Sequence, residues 1–495
     1  MSRRGILLAL FGAGAALRLA GLDRASFWSD EAQSVWIALA PSAAAVWEQT
    51  GRATYEPPLF NVMLHGMLAA TGAVTEFSAR LLPWLAGVAG LLVVFRLARL
   101  TLEPGAALLA CGLAAFAPYQ AVLAQECRMY SCLFALEAGS AACLLAAVAA
   151  APRVRARWWA GYAACLAGAA LTHHMAVAWG VAHATLVLLD GRARRAWCGF
   201  ALASTPAALI AAALLMARRS QMAELLVPRD VPLQELAGTL HDALALGGGG
   251  MGLDPGPRWA VVGLVALLVG RGAVVLGTRR LFPAVHVIVP LLFLHALHRF
   301  SGIHYPILRY AIGAQAALLL LVAAGLAAPG PRLRMRGASR LALAGILTAS
   351  VVSLVRYERG DPPRFGLLQS KKPLRDVCTF LSGRLAPGDA VVHVSLNSCL
   401  PCRLYLPRVP QAYLLPSRDY DTPGGREVFG APVPLARAVA GARRTWLISC
   451  PGSFSMPPDP PAELQPVLER VLGRPVRFEF PGVVVYLAPV LATVR

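Results

Sequence analysis

Two adjacent carboxylates, Asp30 and Glu31, follow the first apolar stretch of the chain by only a few residues. Ionised groups are costly in low-dielectric surroundings, so an acidic pair beside a membrane surface is expected to serve a purpose. A carboxylate in this position can remove a proton from a hydroxyl group as its oxygen attacks an activated carbon. The pair can also form an acidic helix cap after Ser29, because serine and aspartate favour helix N-termini. Spacing alone leaves both interpretations open.

A third acid, Glu56, directly precedes Pro57 and Pro58. The two prolines favour an extended approach into a helix, with Pro58 in its first turn. Glu56 would then be held rigidly at the membrane interface. The alternative interpretation is a simple turn that carries a solvated acid.

An arginine between two apolar runs is a candidate anion ligand. Arg128 lies in the segment Gln125–Tyr130. Its guanidinium can hold a phosphate through two parallel hydrogen bonds near the lipid headgroups. It can equally form a local ion pair with Glu126 that caps the following helix. The sequence does not decide between the two.

Two further pairs lie at the ends of apolar runs. Arg309 and Tyr310 begin one run, where Arg309 can contact a lipid phosphate or extend its charged end to the headgroups. His173 and His174 lie between two short runs. An isolated histidine pair is more typical of a hydrogen-bonded interfacial feature than of a metal site, and no matching cluster of acids and histidines is evident. We therefore predict no metal ligands, and the sequence leaves open whether a divalent ion assists.

These residues belong to an apolar chain. Of its 495 residues, 57% are hydrophobic and only 15% are charged, whereas soluble domains contain about 25% charged residues. The composition predicts a polytopic membrane protein. The net charge of +20 does not indicate nucleic-acid binding, because 44 of the 46 basic residues are arginines (only Lys371 and Lys372 are lysines). Many of them lie in short loops between apolar runs, where membrane topology explains them.

Eleven apolar runs predict about 11 transmembrane helices. They cover residues 5–22, 78–101, 105–122, 130–151, 158–172, 175–189, 197–217, 258–277, 281–297, 308–327 and 339–355. If the N-terminus is cytoplasmic, the inner segments hold sixteen arginines and two acids, while the outer ones hold twelve acids and eight arginines. This alternation predicts that the Asp30–Glu31 loop and the C-terminal region are both extracytoplasmic. The first run resembles a signal peptide, but Arg18 and the many further runs favour a retained helix.

The expected domain organisation is a transmembrane domain over residues 1–355, with the acidic motif in a long first outer loop, 23–77. A polar linker over 356–373 follows. Residues 374–495 then alternate helical patterns (374–385, 434–443 and 462–472) with apolar strands (390–395, 445–450 and 483–487). This alternation predicts a small extracytoplasmic α/β domain.

Four cysteines lie in this C-terminal region, namely Cys378, Cys399, Cys402 and Cys450. The spacing of Cys399 and Cys402 resembles a redox motif. Outside the cytoplasm, a structural disulfide among the four is favoured over redox catalysis, with zinc binding third. The pairing cannot be deduced from the sequence.

Taken in chain order, the motifs resemble those of the polyprenyl-phosphate-dependent glycosyltransferases of the type-C fold. The most similar branch is the bacterial one related to protein O-mannosyltransferases and to the lipid A aminoarabinose transferase. The resemblance covers roughly residues 1–330. It is carried by Arg18–Leu19, Trp28–Glu31, Tyr55–Leu59, Ser78–Leu82, Gln125–Tyr130, Leu171–His174 and Arg309–Tyr310.

The resemblance implies a function in the bacterial plasma (inner) membrane. A sugar would move, with inversion, from a polyprenyl-phosphate-linked donor to a hydroxyl of a lipid, glycan or protein acceptor at the outer face. Asp30, which matches the family's first-loop acid, would be the general base. Glu31 and Glu56 would orient the acceptor or shape the site.

The resemblance also implies ligands for the carrier phosphate. Arg128 and Arg309 are the first candidates and Arg80 is a weaker one. The remaining candidates for substrate contacts are Tyr130, His174 and Tyr310. Positive charge at this point would meet the negative charge that develops on the departing phosphate.

One departure from the aminoarabinose branch is evident. A basic residue often stands beside the paired prolines there, whereas Glu56 directly precedes Pro57 here, so that branch's substrate is not implied. Two other classes of protein stay open. A transporter or flippase of lipid-linked sugars would place ionisable residues near the midplane of broken helices, where Glu137 is the main acid. A receptor-like scaffold would only present the C-terminal domain.

Overall fold

The computed structural model describes residues 2–54, 56–217, 233–301, 309, 312–328, 333–359, 371–415, 422–450 and 475–489. The chain divides into two compact units. Unit 1 comprises Met1–Gly21 and Arg80–Leu368, and unit 2 comprises Leu22–Ala79 and Gln369–Arg495. In this division most of the predicted first outer loop groups with the C-terminal residues. The domain boundaries at 355 and 373 stay a prediction.

Helices account for most of the described residues. In chain order they are α1 (Arg3–Leu19), α2 (Ser29–Ala38), α3 (Ala43–Ala53), α4 (Leu59–Thr71), α5 (Glu76–Thr101), α6 (Pro104–Ala115), α7 (Pro118–Ala124), α8 (Tyr130–Ala149), α9 (Pro152–Thr172), α10 (Ala176–Leu189), α11 (Gly191–Arg194), α12 (Trp197–Ala217), α13 (Leu233–Gly247), α14 (Pro255–Leu276), α15 (Leu281–Ser301), α16 (Ile312–Ala327), α17 (Leu333–Glu358), α18 (Leu374–Ser382), α19 (Leu396–Tyr405), α20 (Pro423–Phe429) and α21 (Leu435–Ala438).

In the described residues, every apolar run of the sequence overlaps one or more of these helices. The prediction of a helical polytopic membrane protein is confirmed. Within the described ranges, five helical segments are long and apolar enough to cross a membrane. They are Glu76–Thr101, Tyr130–Ala149, Trp197–Ala217, Pro255–Leu297 and Gly337–Glu358. The pair α6 and α7, bent by 54°, makes a sixth if it is one broken span. The number of eleven spans stays a prediction.

Arg18 explains how unit 1 tolerates a charge inside its first helix. The side chain is 1% exposed. Its guanidinium donates hydrogen bonds to the carbonyl oxygens of Gly14 at 2.9 Å, Ala115 at 2.8 Å and Ala114 at 2.9 Å. The carbonyls at a helix C-terminus have no intrahelical partner, and the last turn of α6 supplies two of these acceptors. Arg18 therefore satisfies backbone groups that the break before Pro118 leaves exposed.

Helices α14 and α16 approach each other closely because both have a glycine at the crossing. A Cβ atom at Gly272 would lie 2.1 Å from the carbonyl oxygen of Leu321, and one at Gly325 would lie 2.1 Å from that of Leu268. Only glycine fits at either position, as is typical of closely packed helices in membranes. Helix α16 is buried around nearly its whole circumference, so it lies in the interior of unit 1.

The C-terminal part of unit 2 is built on a five-stranded sheet, which confirms the predicted small α/β domain. Its strands are β1 (Asp389–Ser395), β2 (Gln411–Leu415), β3 (Arg444–Ser449), β4 (Val476–Phe480) and β5 (Val483–Pro489). Their order is β2-β1-β3-β5-β4. Strand β1 pairs in parallel with β2 and β3, whereas β5 pairs antiparallel with β3 and β4. The predicted helix over 462–472 lies outside the described residues.

Both faces of this sheet are covered. Val391 and Ile448 point into one cluster that includes α18 and the cysteines Cys378, Cys402 and Cys450. Val392 and Leu447 point to the opposite face, against Leu435 and its neighbours. Successive residues of a strand face opposite sides, so the central strands are apolar on both sides, as in other parallel sheets covered by helices.

The first outer loop packs directly on this C-terminal part within unit 2. The Tyr405 hydroxyl accepts a hydrogen bond from the Phe27 amide at 2.7 Å, and Trp36 Nε1 donates to the Val428 carbonyl at 3.1 Å. Helix α2 lies against α19, and α3 lies against α20. The acidic motif is therefore held by C-terminal elements, and not only by the residues next to it in the chain.

Candidate active site

The acidic pair lies in the first turn of α2, where its two carboxylates have different surroundings. Glu31 is fully buried, and its Oε2 accepts a hydrogen bond from the Trp28 amide at 3.4 Å. A glutamate at the third helical position that bonds to the N-cap amide is one half of a capping box. Asp30 is half-buried, and its Oδ1 accepts from the Ser29 hydroxyl at 3.3 Å. The capping role thus belongs to Glu31, and Asp30 is the more accessible carboxylate.

Lys371 is the second group at the buried carboxylate. Its Nζ lies 3.2 Å from Glu31 Oε2, and the lysine side chain is only 9% exposed. Sequence reasoning missed this residue. One signal was present, because lysine occurs in this chain only at positions 371 and 372.

Glu56 is half-buried at the start of the segment that leads into α4. Its amide donates a hydrogen bond to the Thr54 hydroxyl at 3.1 Å. Pro57 and Pro58 that follow are buried, and Pro58 is the N-cap of α4, one residue before the first turn in which it was predicted to lie. The contact of Glu56 with an acceptor stays a prediction.

A cluster in unit 1 contains several of the predicted phosphate ligands. The Arg309 guanidinium lies 5.7 Å from the centre of the Tyr130 ring, and the rings of Tyr130 and His173 are 6.3 Å apart. Burial lowers the pKa of His173 to about 3, with His174 and then Arg128 acting in the same direction. His173 is therefore neutral, and the positive charge of the cluster comes from its two arginines.

The arginines of the cluster are buried, Arg128 at 4% and Arg309 at 7% exposure. Arg80 is also buried, at 1% exposure, near the start of α5 in unit 1. His174 is half-buried beside His173, and Tyr310 lies outside the described residues. Buried guanidinium groups are strong candidates for anion recognition, since they retain their charge and offer several donors in a fixed plane.

A small cavity in unit 1 is lined by apolar side chains and two amphipathic ones. Its volume is about 30 Å³, and it is bounded by residues such as Val287, Leu291 and Ile312 together with Tyr119 and Gln315. Gln315 accepts a hydrogen bond from Gln120 at 2.7 Å. The cavity has room for about one water molecule, which is far less than a polyprenyl chain needs.

The four C-terminal cysteines are all buried. The Cys402 thiol lies within hydrogen-bond reach of the Cys378 thiol, and burial followed by this contact raises the pKa of Cys402 well above its usual range. A buried thiol with a raised pKa is a poor nucleophile. Among the described residues, no group of three or more histidine, cysteine, aspartate or glutamate side chains could hold a metal ion.

A family model matches the part of the chain that holds several of these motifs. Residues 55–218, about one third of the chain, match the model described as dolichyl-phosphate-mannose-protein mannosyltransferase. No curated protein matches the chain in sequence.

Solved structures match nearly the whole chain. ArnT from Cupriavidus metallidurans bound to undecaprenyl phosphate is similar with a TM-score of 0.67 and 16% identity, over 99% of both chains. The apo state of the same protein is similar with a TM-score of 0.66 and 15% identity, over 100% of this chain and 99% of that one. The Archaeoglobus fulgidus oligosaccharyltransferase tethered with an acceptor peptide is similar with a TM-score of 0.55 and 11% identity, over 98% of this chain and 74% of that one. The predicted resemblance is thus confirmed at the level of fold: the chain has the fold of these solved structures.

Proposed function

We propose that the protein is an integral membrane glycosyltransferase that moves a sugar from a polyprenyl-phosphate-linked donor to an acceptor hydroxyl. The observation that carries the proposal is the likeness of fold to ArnT bound to undecaprenyl phosphate, which extends over 99% of both chains. The match of residues 55–218 to the mannosyltransferase model supports the same class of donor. The acceptor is a lipid, a glycan or a protein.

In the proposed reaction, Asp30 is the general base. Its carboxylate takes the proton of the acceptor hydroxyl while that oxygen forms a bond to the anomeric carbon of the donor sugar. The bond from that carbon to the phosphate oxygen breaks, and the departing polyprenyl phosphate retains the electron pair. Attack from the side opposite the leaving group inverts the anomeric configuration. The half-buried position of Asp30, beside a Glu31 already engaged in capping, supports this role.

Arg128 and Arg309 are the proposed ligands of the carrier phosphate, with Arg80 as a third candidate. Fixed positive charge in a water-poor site stabilises the negative charge that develops on the leaving group without needing to reorganise. Tyr130, which Arg309 covers, would keep this guanidinium in place. Glu56 is proposed to orient the acceptor, and His174 and Tyr310 are further candidates for substrate contacts.

The proposed site faces the extracytoplasmic side of the bacterial inner membrane, with the N-terminus in the cytoplasm. The alternation of arginine-rich and acidic loops supports this orientation.

The proposal is tested in a deletion strain by mass spectrometry of lipid-linked glycans and envelope polysaccharides. The strain is expected to accumulate one unextended acceptor, which wild-type protein removes. Asp30→Asn should be expressed normally yet reduce transfer by about 10²–10⁴-fold, the usual contribution of a general base. Asp23→Asn is the matched control, because Asp23 is an exposed acid in the same loop. Wild-type transfer by Asp30→Asn would remove Asp30 from the mechanism.

A further inference from the structure

The contact between Lys371 and Glu31 joins the C-terminal residues of unit 2 to the acidic motif. Glu31 is fully buried and Lys371 nearly so, and their charged atoms lie 3.2 Å apart. A buried carboxylate is costly unless a counter-charge accompanies it. Removing one member of such a pair leaves an uncompensated charge in the interior.

The same contact bears on Asp30, the next residue in the chain. Glu31 Oε2 accepts the Trp28 amide as well as the lysine contact, so Lys371 helps to fix the first turn of α2. Within that turn the Ser34 hydroxyl donates to the Asp30 carbonyl at 3.2 Å. The direction of the Asp30 carboxylate therefore depends on how firmly this turn is held.

We propose that Lys371 is a positioning residue for Asp30, acting through Glu31. This inference rests on the proposed function, since it assigns Asp30 the role of base. It makes the predicted linker, residues 356–373, a contributor to the acidic motif. Lys371 brings a positive charge to that motif from a point more than 300 residues further along the chain.

Other titratable groups lie on the elements that contact α2 within unit 2. They are Arg403 and Tyr405 on α19, His65 on α4, and Glu48 and Arg52 on α3. Glu31 and, more strongly, Glu76 raise the pKa of Tyr405, after the larger effect of burial. Tyr405 is therefore uncharged at any pH of interest and does not replace Lys371 as the counter-charge.

The test compares transfer in the deletion strain by variants of the full-length protein. Lys371→Met is expected to lower transfer about tenfold, because Glu31 loses its counter-charge and the first turn of α2 is held less firmly. Lys372→Met is the matched control and should transfer at the wild-type rate.

Lys371→Arg retains the charge, and it should restore transfer to near the wild-type rate. This variant separates loss of charge from loss of folding, which trypsin resistance of each variant checks directly. If Lys371→Met folds and transfers at the wild-type rate, the inference is wrong.

The two proposals fail separately. Inactive Asp30→Asn with fully active Lys371→Met would contradict only the role of Lys371. Active Asp30→Asn would contradict the proposed function, whatever the Lys371→Met substitution does to transfer.

Discussion

The Tyr405 hydroxyl donates a hydrogen bond to Glu76 Oε1 at 2.7 Å and accepts one from the Phe27 amide. Arg375 reaches the same carboxylate oxygen at 3.2 Å. One phenol thus joins the end of the first outer loop, the residue that precedes the acidic motif, and the C-terminal helix α19. Such shared polar contacts are worth more than their number suggests, because losing one partner leaves the others unsatisfied.

Tyr405→Phe is therefore expected to destabilise the protein by about 1–3 kcal/mol, the cost of leaving buried polar groups unpaired. Tyr486→Phe removes a hydroxyl from a half-buried tyrosine on β5 and is the matched control. Denaturant unfolding of the purified proteins compares the two. Equal midpoints for both variants would contradict the importance of the Tyr405 contacts.

Because α14 and α16 cross closely, we expect glycine-to-alanine substitutions at neighbouring positions to differ sharply in their effect on stability. Gly272→Ala or Gly325→Ala places a methyl group against a backbone carbonyl, and the overpacking should cost about 1–3 kcal/mol. Gly270→Ala on the same helix meets nothing within 4 Å. Thermal aggregation in detergent is the measurement, and a Gly270→Ala protein as unstable as Gly272→Ala would show that the crossing is not tight.

We expect the folded protein to lose stability in mild acid because of His393. Burial lowers its pKa to about 3, in spite of the hydrogen bond to Gln411, which raises it. In the unfolded chain the pKa is near 6.5, so the unfolded state binds the extra proton as the pH falls below that value. Stability contributed by His393 is thus present above about pH 6.5 and lost progressively toward pH 3.

Between pH 7.5 and 5.5, the free energy of unfolding of wild type should fall by about 1.4 kcal/mol more than that of His393→Gln, because the glutamine side chain does not titrate. Unfolding midpoints at the two values give the comparison. The variant starts less stable, because the contacts of His393 with Ser398 at 3.0 Å and Gln411 at 2.9 Å are altered. Losses of the same size in both proteins would rule out His393 as the origin.

The cysteine cluster predicts a Cys378–Cys402 disulfide in protein taken from an oxidising compartment, since these two thiols are in contact. Digestion after alkylation, without reduction, should yield the two peptides linked. Cys399→Ala should leave the linked peptide unchanged, whereas Cys378→Ala should make Cys402 available to alkylation only after unfolding. Recovery of Cys378 and Cys402 as separate alkylated peptides from wild type would refute the pairing.

The orientation of the acidic loop is tested by thiol labelling. In a Cys198→Ser background, Asp23→Cys should react with an impermeant maleimide in intact spheroplasts. Gly191→Cys, at an exposed position on a predicted inner segment, should react only after permeabilisation. The reverse pattern would place Asp30 on the cytoplasmic side, where the proposed reaction lacks its acceptor.

Periodicity predicted the parts of this fold that bury apolar surface. The strands β1, β3 and β5 were predicted within two residues at each end, because each is an apolar run. The edge strands β2 and β4 were not. Strand β4 alternates valine and phenylalanine with the exposed Arg477 and Glu479, so it lacks the apolar run that marks a buried strand.

Contacts between residues far apart in the chain could not be predicted from the sequence. The acidic pair was recognised from its position, but local spacing did not show that Glu31 would be buried and Asp30 half-buried. Local spacing also did not show the ion pair with Lys371, which meets Glu31 only after the chain has folded. The hydrogen bonds of Arg18 could not be predicted for the same reason, since its acceptors at Ala114 and Ala115 lie on another helix.

The bonds of Arg18 also constrain how the chain is made. Two of its three acceptors are about 97 residues downstream, which at 5–20 residues per second corresponds to about 5–20 s of translation. During that interval the nascent first helix carries a guanidinium without its eventual acceptors. If the first helix is a membrane span, as the sequence predicts, its insertion must wait for α6 to emerge or rely on the translocon and lipid headgroups to shelter the charge. An arginine that stabilises the finished protein is, for those seconds, an obstacle to its biogenesis.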